Sequence, residues 1–325
     1  MAREAQTAPQ VEPLTKPGAA PYGGGRAARP VRPAPFGQRG LLHWLAVRRN
    51  TIVLHAILGL ALVVFMLPII WSISASFKGK QELFAAIPSL FPARPTLANY
   101  VYVLRRMGTF PLYFLNSLVV TLGAVALIVT ASALAGYAFG RLRFRFRDLI
   151  FYTLVLQVFV PRAGGLMALY ELARALHLRN SLLGLVLLFS GGIAIPVFIM
   201  RQTFFNIPGE FEDAAAIDGA NRWQTFWLVM APMGAAGMVL VAIFSFIGIW
   251  GEFLVTLTMI DNSEKWTLSV AVANMSLSTT SWQESEILPY GTTAAAYLLA
   301  ALPAALLFVA MQRWFVRGMM EGLKF

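Results

Sequence analysis

The sequence contains no cysteine, and only 13% of its 325 residues are charged. The absence of cysteine excludes disulfides, thiolate chemistry and cysteine-bound zinc. The sequence also lacks the phosphate-cradling pattern GxxxxGK[ST], which a chain that consumes ATP itself would need. Its three histidines, His43, His55 and His177, are scattered and form no HExxH pair. We therefore expect neither catalysis nor a metal or other cofactor bound by this chain.

Apolar residues make up 58% of the chain and occur in runs far longer than a soluble core helix needs. A helix needs about 20 mostly apolar residues to cross the hydrocarbon of a membrane. A transmembrane barrel would alternate polar and apolar residues, and these runs do not. The sequence therefore predicts an all-α membrane protein with six transmembrane helices. The spans are expected at about 51–76, 112–138, 148–168, 181–202, 233–259 and 288–312.

Residues 1–45 are rich in proline, alanine, glycine and arginine. This composition predicts a disordered, basic tail, and we assign residues 46–325 to one transmembrane domain. Most of the 26 basic residues lie in the tail, between the second and third spans, between the fourth and fifth, and at the C-terminus. Because basic residues concentrate on the cytoplasmic side, both termini are predicted to be cytoplasmic. The charge of +11 thus reflects the membrane, and no nucleic acid partner is expected.

A polar, acidic segment, residues 208–232, interrupts the apolar pattern within the predicted loop 203–232. We call it the acidic insert. Pro208 suits a first helical position, and the first turn carries Glu210, Glu212 and Asp213, where the helix dipole favours negative charge. Gly219 stands where a left-handed residue would end this helix, and a second helical stretch runs from Asn221 toward Pro232. The acidic insert is therefore predicted to be a short helix, a turn and another helix that present a docking surface.

Few polar residues fall inside the predicted spans. Glu252, in the fifth span, is expected to face a partner or a wet cavity, because a carboxylate is costly in hydrocarbon. If that span ends a few residues earlier, Glu252 is interfacial instead. Asn116 and Gln157 either tie helices together or bind a solute.

The acidic insert resembles a known signature. Asp213-Ala214-Ala215-x3-Gly219-x9-Val229-x-Ala231-Pro232 is similar to E-A-A-x3-G-x9-I-x-L-P, the EAA motif in the membrane subunits of binding-protein-dependent ABC importers. Asp213 replaces the usual glutamate. Similarity to the second permease of the maltose and glycerol-phosphate type extends over about residues 50–324. It is carried by Asn116–Leu118, Tyr137–Arg141, Trp250–Leu254 and Gln312–Gly318.

The resemblance implies a type I ABC importer fold, with the EAA loop forming coupling helices on the cytoplasmic face. It implies a permease subunit that moves a carbohydrate across a bacterial or archaeal cytoplasmic membrane by alternating access. The implied partners are a second homologous permease, two ATP-binding subunits that use the ATP and Mg²⁺, an extracytoplasmic solute-binding protein and the lipid bilayer.

The resemblance also implies site residues. The coupling surface is expected to comprise Glu212, Asp213, Ala214, Ala215, Asp218, Gly219 and Pro232. Glu212 and Asp213 would meet basic residues of the ATPase subunit, and the alanines would provide a close-packing surface. Because sugars need aromatic and hydrogen-bonding contacts, the candidates for the substrate pathway are Asn116, Gln157, Trp250 and Glu252.

A secondary transporter or channel without ATPase subunits is the alternative. Such a protein would show broken helices at the membrane midplane and buried ion-coupling carboxylates. Gly191-Gly192 and Pro196 in the fourth span are the sequence feature that points this way. A membrane scaffold would explain the docking surface but not the resemblance across six spans.

Overall fold

A computed structural model describes residues 38–83, 85, 89–106, 108–160, 164–277 and 289–322. The regular structure of these residues is helical and includes no strand, so the predicted all-α class is confirmed. The chain divides into two units, Met1–Leu62 and Val63–Phe325, and all packing discussed below belongs to the second.

The helices follow one another along the chain. The first seven are α1 (Gln38–Ser76), α2 (Lys80–Leu83), α3 (Ala98–Val101), α4 (Phe110–Arg141), α5 (Arg147–Leu156), α6 (Leu166–Ala175) and α7 (Leu182–Ser190). The next are α8 (Ala194–Phe205), α9 (Glu210–Ile217), α10 (Arg222–Gln224), α11 (Ala231–Met233), α12 (Ala235–Trp250), α13 (Leu254–Met259), α14 (Leu268–Leu277) and α15 (Pro289–Gly322). Two π-helical turns, Tyr102–Arg106 and Thr225–Met230, and two 3₁₀ turns, Gln157–Phe159 and Ser263–Lys265, complete the set.

Three described helices are long and apolar enough to cross a membrane, namely Thr51–Ser76 within α1, α4, and Tyr290–Gln312 within α15. Two bent pairs meet the same criterion together: α7 with α8, at 52°, and Arg222–Met233 with α12, at 72°. The described residues therefore provide three spans, or up to five if each bent pair crosses once. The predicted number of six is not confirmed.

The third predicted span, 148–168, is not one continuous helix. α5 ends at Leu156, the 3₁₀ turn Gln157–Phe159 follows, and Val160 is extended with φ −81° and ψ 115°. Pro161 comes next in the sequence, and a residue before proline is driven away from the helical conformation. Residues 161–163 lie outside the described residues, and α6 begins only at Leu166.

Other predicted boundaries also shift. The fourth span breaks between α7 and α8, at residues 191–193, where the sequence has Gly191-Gly192. The fifth ends at Trp250, because Gly251 caps α12, so Glu252 follows the helix end rather than lying inside a span. α1 begins at Gln38, inside the segment 1–45 predicted as a disordered tail, because the apolar residues 41–47 extend the helical pattern. Residues 1–37 lie outside the described residues.

A close helix crossing fixes the position of α4. A Cβ on Gly136 would lie 2.4 Å from Met200 Cβ and 2.7 Å from the Met200 carbonyl carbon, so α4 and α8 approach at backbone distance. One turn later, a Cβ on Gly140 would lie 3.1 Å from the Arg201 carbonyl oxygen. Small residues four positions apart permit such approaches between membrane helices. This crossing holds the C-terminal turn of α4 next to the acidic insert.

Candidate functional site

The acidic insert folds as the predicted helix, turn and helix. α9 begins at Glu210, after the N-cap Gly209, and not at Pro208 as predicted. The Gly209 carbonyl accepts hydrogen bonds from the Glu212 and Asp213 amides, and these bonds close the first turn without Pro208. Gly219 has φ +79°, the left-handed conformation that ends a helix and that glycine adopts without a steric penalty.

A capping box starts the second helical stretch. Asn221 Oδ1 accepts hydrogen bonds from the Trp223 and Gln224 amides, at 3.0 and 2.9 Å, and Gln224 Oε1 accepts one from the Asn221 amide at 2.9 Å. Helix α10, the π-helical turn and α11 then run without interruption to Gly234. The chain bends there by 72° into α12. The turn between the two helical stretches is thus fixed on both sides, by Gly219 and by Asn221.

Glu212 attaches α9 to the end of α4. Its Oε1 accepts a hydrogen bond from the Tyr137 hydroxyl at 2.9 Å, and its Oε2 lies 2.8 Å from Arg141 Nε. The Arg141 N–H does not aim squarely at the oxygen, so this contact is an ion pair rather than a well-aligned hydrogen bond. Arg141 Nη2 also donates to the Ile207 carbonyl, just before α9. Because Tyr137 and Arg141 are one turn apart on α4, both reach the same carboxylate.

Aromatic packing supports this attachment. The Tyr137 ring lies 5.8 Å from the Phe204 ring and 5.2 Å from the Phe226 ring, measured between centroids. Phe204 and Phe226 are almost fully buried. Three elements therefore meet at Tyr137: α4, the end of α8, and the second helical stretch of the acidic insert.

Arg201 ties two further elements to this end of the bundle. Its Nε donates to the Phe139 carbonyl of α4 at 3.4 Å, and its Nη2 lies 3.8 Å from Asp148 Oδ1 on α5. The guanidinium also lies over the Phe151 ring, 4.1 Å from the centroid. Arg201 thus connects α8 to both α4 and α5.

A cleft of about 360 Å³ lies between the end of α4 and the acidic insert. Its lining contains both signs of charge, with Glu212 facing Arg141, Arg143 and Arg222. The remaining lining residues are Tyr137, Leu142, Ala216, Ala220 and Thr225. Within this cleft Glu212 pairs with Arg141, and this pair attaches α9 to the end of α4.

The outer face of α9 matches the predicted coupling surface only in part. Asp213, Ala214, Asp218 and Gly219 are exposed, and so is Pro232 at the end of the second stretch. Ile217 is 87% exposed, an unusual position for an isoleucine. Two predicted members face inward: Ala215 is 7% exposed, and Glu212 is held by Tyr137 and Arg141. The Glu212 carboxylate therefore has partners within this chain, and its contact with basic residues of an ATPase subunit stays a prediction.

Tyr137 and Arg141 belong to a stretch that carries the family resemblance, but their contact with Glu212 was not predicted from the sequence. A signal was present, since Arg141 is the first cation after a long apolar run and stands one turn after a tyrosine. Such a pair is suited to hold a carboxylate from a neighbouring loop.

The four candidates for the substrate pathway lie apart from the acidic insert. Asn116 is buried, and its amide donates to the carbonyls of Glu264 and Trp266 at 2.8 and 3.0 Å. Trp250 is 7% exposed, donates from Nε1 to the Ala300 carbonyl at 2.8 Å and stacks on Phe246. Both side chains are thus committed to contacts between elements of this chain.

Glu252 and Gln157 are placed differently. Glu252 is half-buried, and its carboxylate accepts hydrogen bonds from the Val255 and Thr256 amides, at 3.0 and 3.3 Å, at the start of α13. Its oxygens therefore satisfy a helix N-terminus. Gln157 is exposed and donates to the Gly191 carbonyl at 3.3 Å, beside the break between α7 and α8. Gln157 and Glu252 thus occupy separate sites with different backbone partners.

Comparison with known proteins identifies this arrangement. Residues 43–321 match the family described as binding-protein-dependent transport system inner membrane component. The chain belongs to this family. It is a permease subunit of an ABC importer, a multi-pass membrane protein that works with binding-protein and ATPase partners. It is a transport component and not an enzyme.

Relatives extend over most of this permease subunit. The diacetylchitobiose uptake system permease protein NgcG of Streptomyces coelicolor is 30% identical over 281 residues, covering 85% of this chain and 89% of that protein. The sulfoquinovosyl glycerol transport system permease protein SmoH of Agrobacterium fabrum is 33% identical over 259 residues, 79% and 88% of the two chains. The maltose/maltodextrin permease protein MalG of Vibrio vulnificus is 32% identical over 286 residues, 82% and 93%.

A solved structure supports the fold. A bacterial ABC transporter involved in the import of the acidic polysaccharide alginate contains a chain that superimposes with a TM-score of 0.77 at 20% identity. The match covers 83% of this permease subunit and 98% of that chain. The fold is therefore shared over 83% of this chain.

Proposed function

We propose that this permease subunit imports a carbohydrate. The support is the set of relatives, whose names refer to diacetylchitobiose, sulfoquinovosyl glycerol, galactooligosaccharides and maltodextrin. The solute is captured outside the membrane by a separate binding protein, which sets the specificity. The deciding test is a binding assay of the cognate binding protein against a panel of oligosaccharides, followed by uptake of the best ligand in cells that lack this permease. Binding of amino acids or metal ions in place of any sugar would overturn the proposal.

The acidic insert is the proposed site of coupling to an ATPase subunit. The observation that carries this proposal is the exposed face of α9, where Asp213, Ala214 and Asp218 surround an isoleucine that is 87% exposed. An exposed large apolar residue beside carboxylates suits a protein partner with an apolar pocket and a basic rim. In this arrangement both termini and the acidic insert are cytoplasmic. The complete transporter contains a second homologous permease and two ATP-binding subunits, which use ATP and Mg²⁺, while this chain binds no cofactor.

The contacts of Glu212 provide the mechanical link. Because Tyr137 and Arg141 hold α9 against the end of α4, a displacement of α9 by the ATPase subunit pulls on α4. The close crossing at Gly136 then carries α8 along with it. Packed helices of this kind move as rigid bodies, so closure of two ATPase subunits alternates access to a site between the permeases.

Two matched pairs of variants test the coupling role. At Gly219, φ is +79° and no atom lies within 4 Å of an added Cβ, so a substitution is limited by backbone strain alone. Gly219→Val should abolish uptake and release the ATPase subunits, whereas Gly219→Asn should keep both, because asparagine tolerates the left-handed conformation. Asp213→Lys should also abolish uptake, and Asp213→Glu, which restores the usual EAA residue, should not. Wild-type uptake and co-purification in Gly219→Val and Asp213→Lys would refute the docking role.

Asn116, Gln157, Trp250 and Glu252 remain proposed members of the substrate pathway. Trp250 presents an aromatic side chain beside Phe114 and Phe246, and Glu252 follows it at the end of α12. Trp250→Phe is the control for Trp250→Ala, since it keeps an aromatic ring but loses the hydrogen bond to Ala300. If Trp250→Ala and Glu252→Ala both leave solute affinity and uptake unchanged in folded transporter, this part of the proposal fails.

A further inference from the structure

A second cleft, of about 370 Å³, lies at the connection between α4 and α5. We call residues 142–147 of this connection the arginine loop. The cleft is lined by Arg143, Phe144, Phe146, Arg147, Asp148 and Leu149. Its volume is within the range of small-molecule sites, roughly 300–1,000 Å³. The coupling role of the acidic insert leaves this cleft without a function.

The arginine loop carries positive charge that its own chain does not neutralise. Arg143 and Arg145 are exposed, and neither forms an ion pair with a carboxylate of the described residues. The carboxylate beside them, Asp148, is 3.1 Å from Arg147 Nε and 3.8 Å from Arg201 Nη2. Because two other cations share Asp148, the guanidinium groups of Arg143 and Arg145 remain available to an anion.

The arginine loop also lies where a membrane helix ends. α4 has 32 residues, which corresponds to about 48 Å at 1.5 Å per residue, longer than the roughly 30 Å hydrocarbon core. Its last residue, Arg141, therefore reaches the level of the lipid headgroups. Basic residues directly after a transmembrane helix attract anionic lipid.

Exposed rings accompany the arginines. Phe144 and Phe146 are 40% and 59% exposed, and the Arg145 guanidinium lies 4.9 Å from the centroid of the Phe146 ring. Leu149 and Ile150, at the start of α5, are also exposed. Alternating basic and apolar side chains of this kind suit the boundary between headgroups and acyl chains. A protein partner would have to match this whole row with alternating acidic and apolar groups, whereas an anionic membrane surface provides both at the level of the loop.

We propose that the arginine loop is a binding site for an anionic phospholipid. Arg143 and Arg145 contact the lipid phosphate, while Phe144 and Phe146 lie among the upper parts of the acyl chains. Arg143 also borders the cleft at the acidic insert, whereas the other residues that line this site belong to the arginine loop and the start of α5.

The test uses the assembled transporter, purified in a neutral detergent and stripped of lipid. Binding of a fluorescent phosphatidylglycerol is compared with binding of the matching phosphatidylcholine at low salt. Arg143→Gln with Arg145→Gln should reduce the preference for phosphatidylglycerol by about 30-fold, given the usual contribution of each basic residue near a membrane surface. The matched control is Arg105→Gln with Arg174→Gln, which removes the same charge from two exposed arginines on other elements and should leave the preference unchanged.

Two outcomes would overturn the proposal. The first is an unchanged preference in the Arg143/Arg145 double variant; if ATPase subunits are also lost during purification, the arginines belong to a protein contact. The second is complete displacement of the lipid by inorganic phosphate at equal concentration, which would indicate a site for free anions. Recovery of the preference in Arg143→Lys with Arg145→Lys would support binding through charge and would show that the folded loop tolerates substitution.

Discussion

The attachment of α9 through Glu212 leads to a quantitative prediction. Glu212→Gln keeps an oxygen that can accept the Tyr137 hydrogen bond but removes the charge that faces Arg141. The two side chains are 24% and 15% exposed, so the pair lies between a surface ion pair and a buried one. Surface pairs contribute up to about 1 kcal/mol, and loss of one partner of a buried pair costs about 3–5 kcal/mol. We therefore expect Glu212→Gln to lower the free energy that holds α9 against α4 by about 1–2 kcal/mol. Solvent screening favours the lower end of this range.

This loss can be measured by hydrogen exchange. If α9 exchanges by local opening, the amides of residues 212–218 should exchange about 5–30 times faster in Glu212→Gln than in the wild type. Glu210→Gln is the control, because Glu210 is an exposed carboxylate in the same first turn. Both variants remove a negative charge that interacts favourably with the dipole of α9. The difference between their exchange rates therefore measures the contribution of the ion pair with Arg141.

A double-mutant cycle decides whether the effect passes through Arg141. Arg141→Met alone should also accelerate exchange in α9, and the combination with Glu212→Gln should change exchange by less than the sum of the two single effects. Equal exchange rates in Glu212→Gln and Glu210→Gln, or strictly additive effects in the cycle, would show that the ion pair does not hold α9 in place.

Three further predictions concern other contacts. Gly136→Ala should lower the stability of the purified protein by about 1–3 kcal/mol in thermal unfolding, whereas Gly248→Ala, with open space around it, should not. Asn116→Ala should cost about 1–3 kcal/mol because the carbonyls of Glu264 and Trp266 lose their donor, and Asn116→Asp should not restore the loss. The hydrogen bond from the Ala93 amide holds the pKa of Glu82 below its usual 4.5. The Glu82 carboxylate therefore stabilises its segment above pH 4.5, and this stabilisation is lost as the pH falls through the lowered pKa. Proteolysis of residues 79–97 should accordingly increase at low pH in the wild type but not in Glu82→Gln.

The fold class, the family and the shape of the acidic insert were predictable because local signals determine them. Long apolar runs, a glycine that favours the left-handed conformation and an asparagine at the start of a helical stretch each act within a few residues. The orientation of Glu212 was not predictable in this way. It depends on Tyr137 and Arg141, which are more than 70 residues away and which reach the carboxylate only because Gly136 lets α4 approach α8.

The breaks within the predicted spans were not predictable from apolar composition either. Apolar composition alone predicts one long helix wherever a run is long enough, and it does not register a single residue that ends a helix. Val160 before Pro161 and Gly251 after Trp250 both interrupt runs whose hydropathy continues. The hydrogen bonds of Asn116 and Glu252 were equally unpredictable, since their partners are backbone groups that only the fold brings close.

The contact between Gly136 and Met200 restricts how this subunit can change shape. Two helices whose backbones touch have little room to slide past each other or to rotate about their own axes, so we expect α4 and α8 to move together as a single lever. The deformation needed to open and close a pathway must then occur at the joints beside that lever, at residues 191–193 and at Gly234, where the chain already turns by 52° and 72°. Substitutions that stiffen those joints should slow the transport cycle even though they lie outside both the solute path and the ATPase contact.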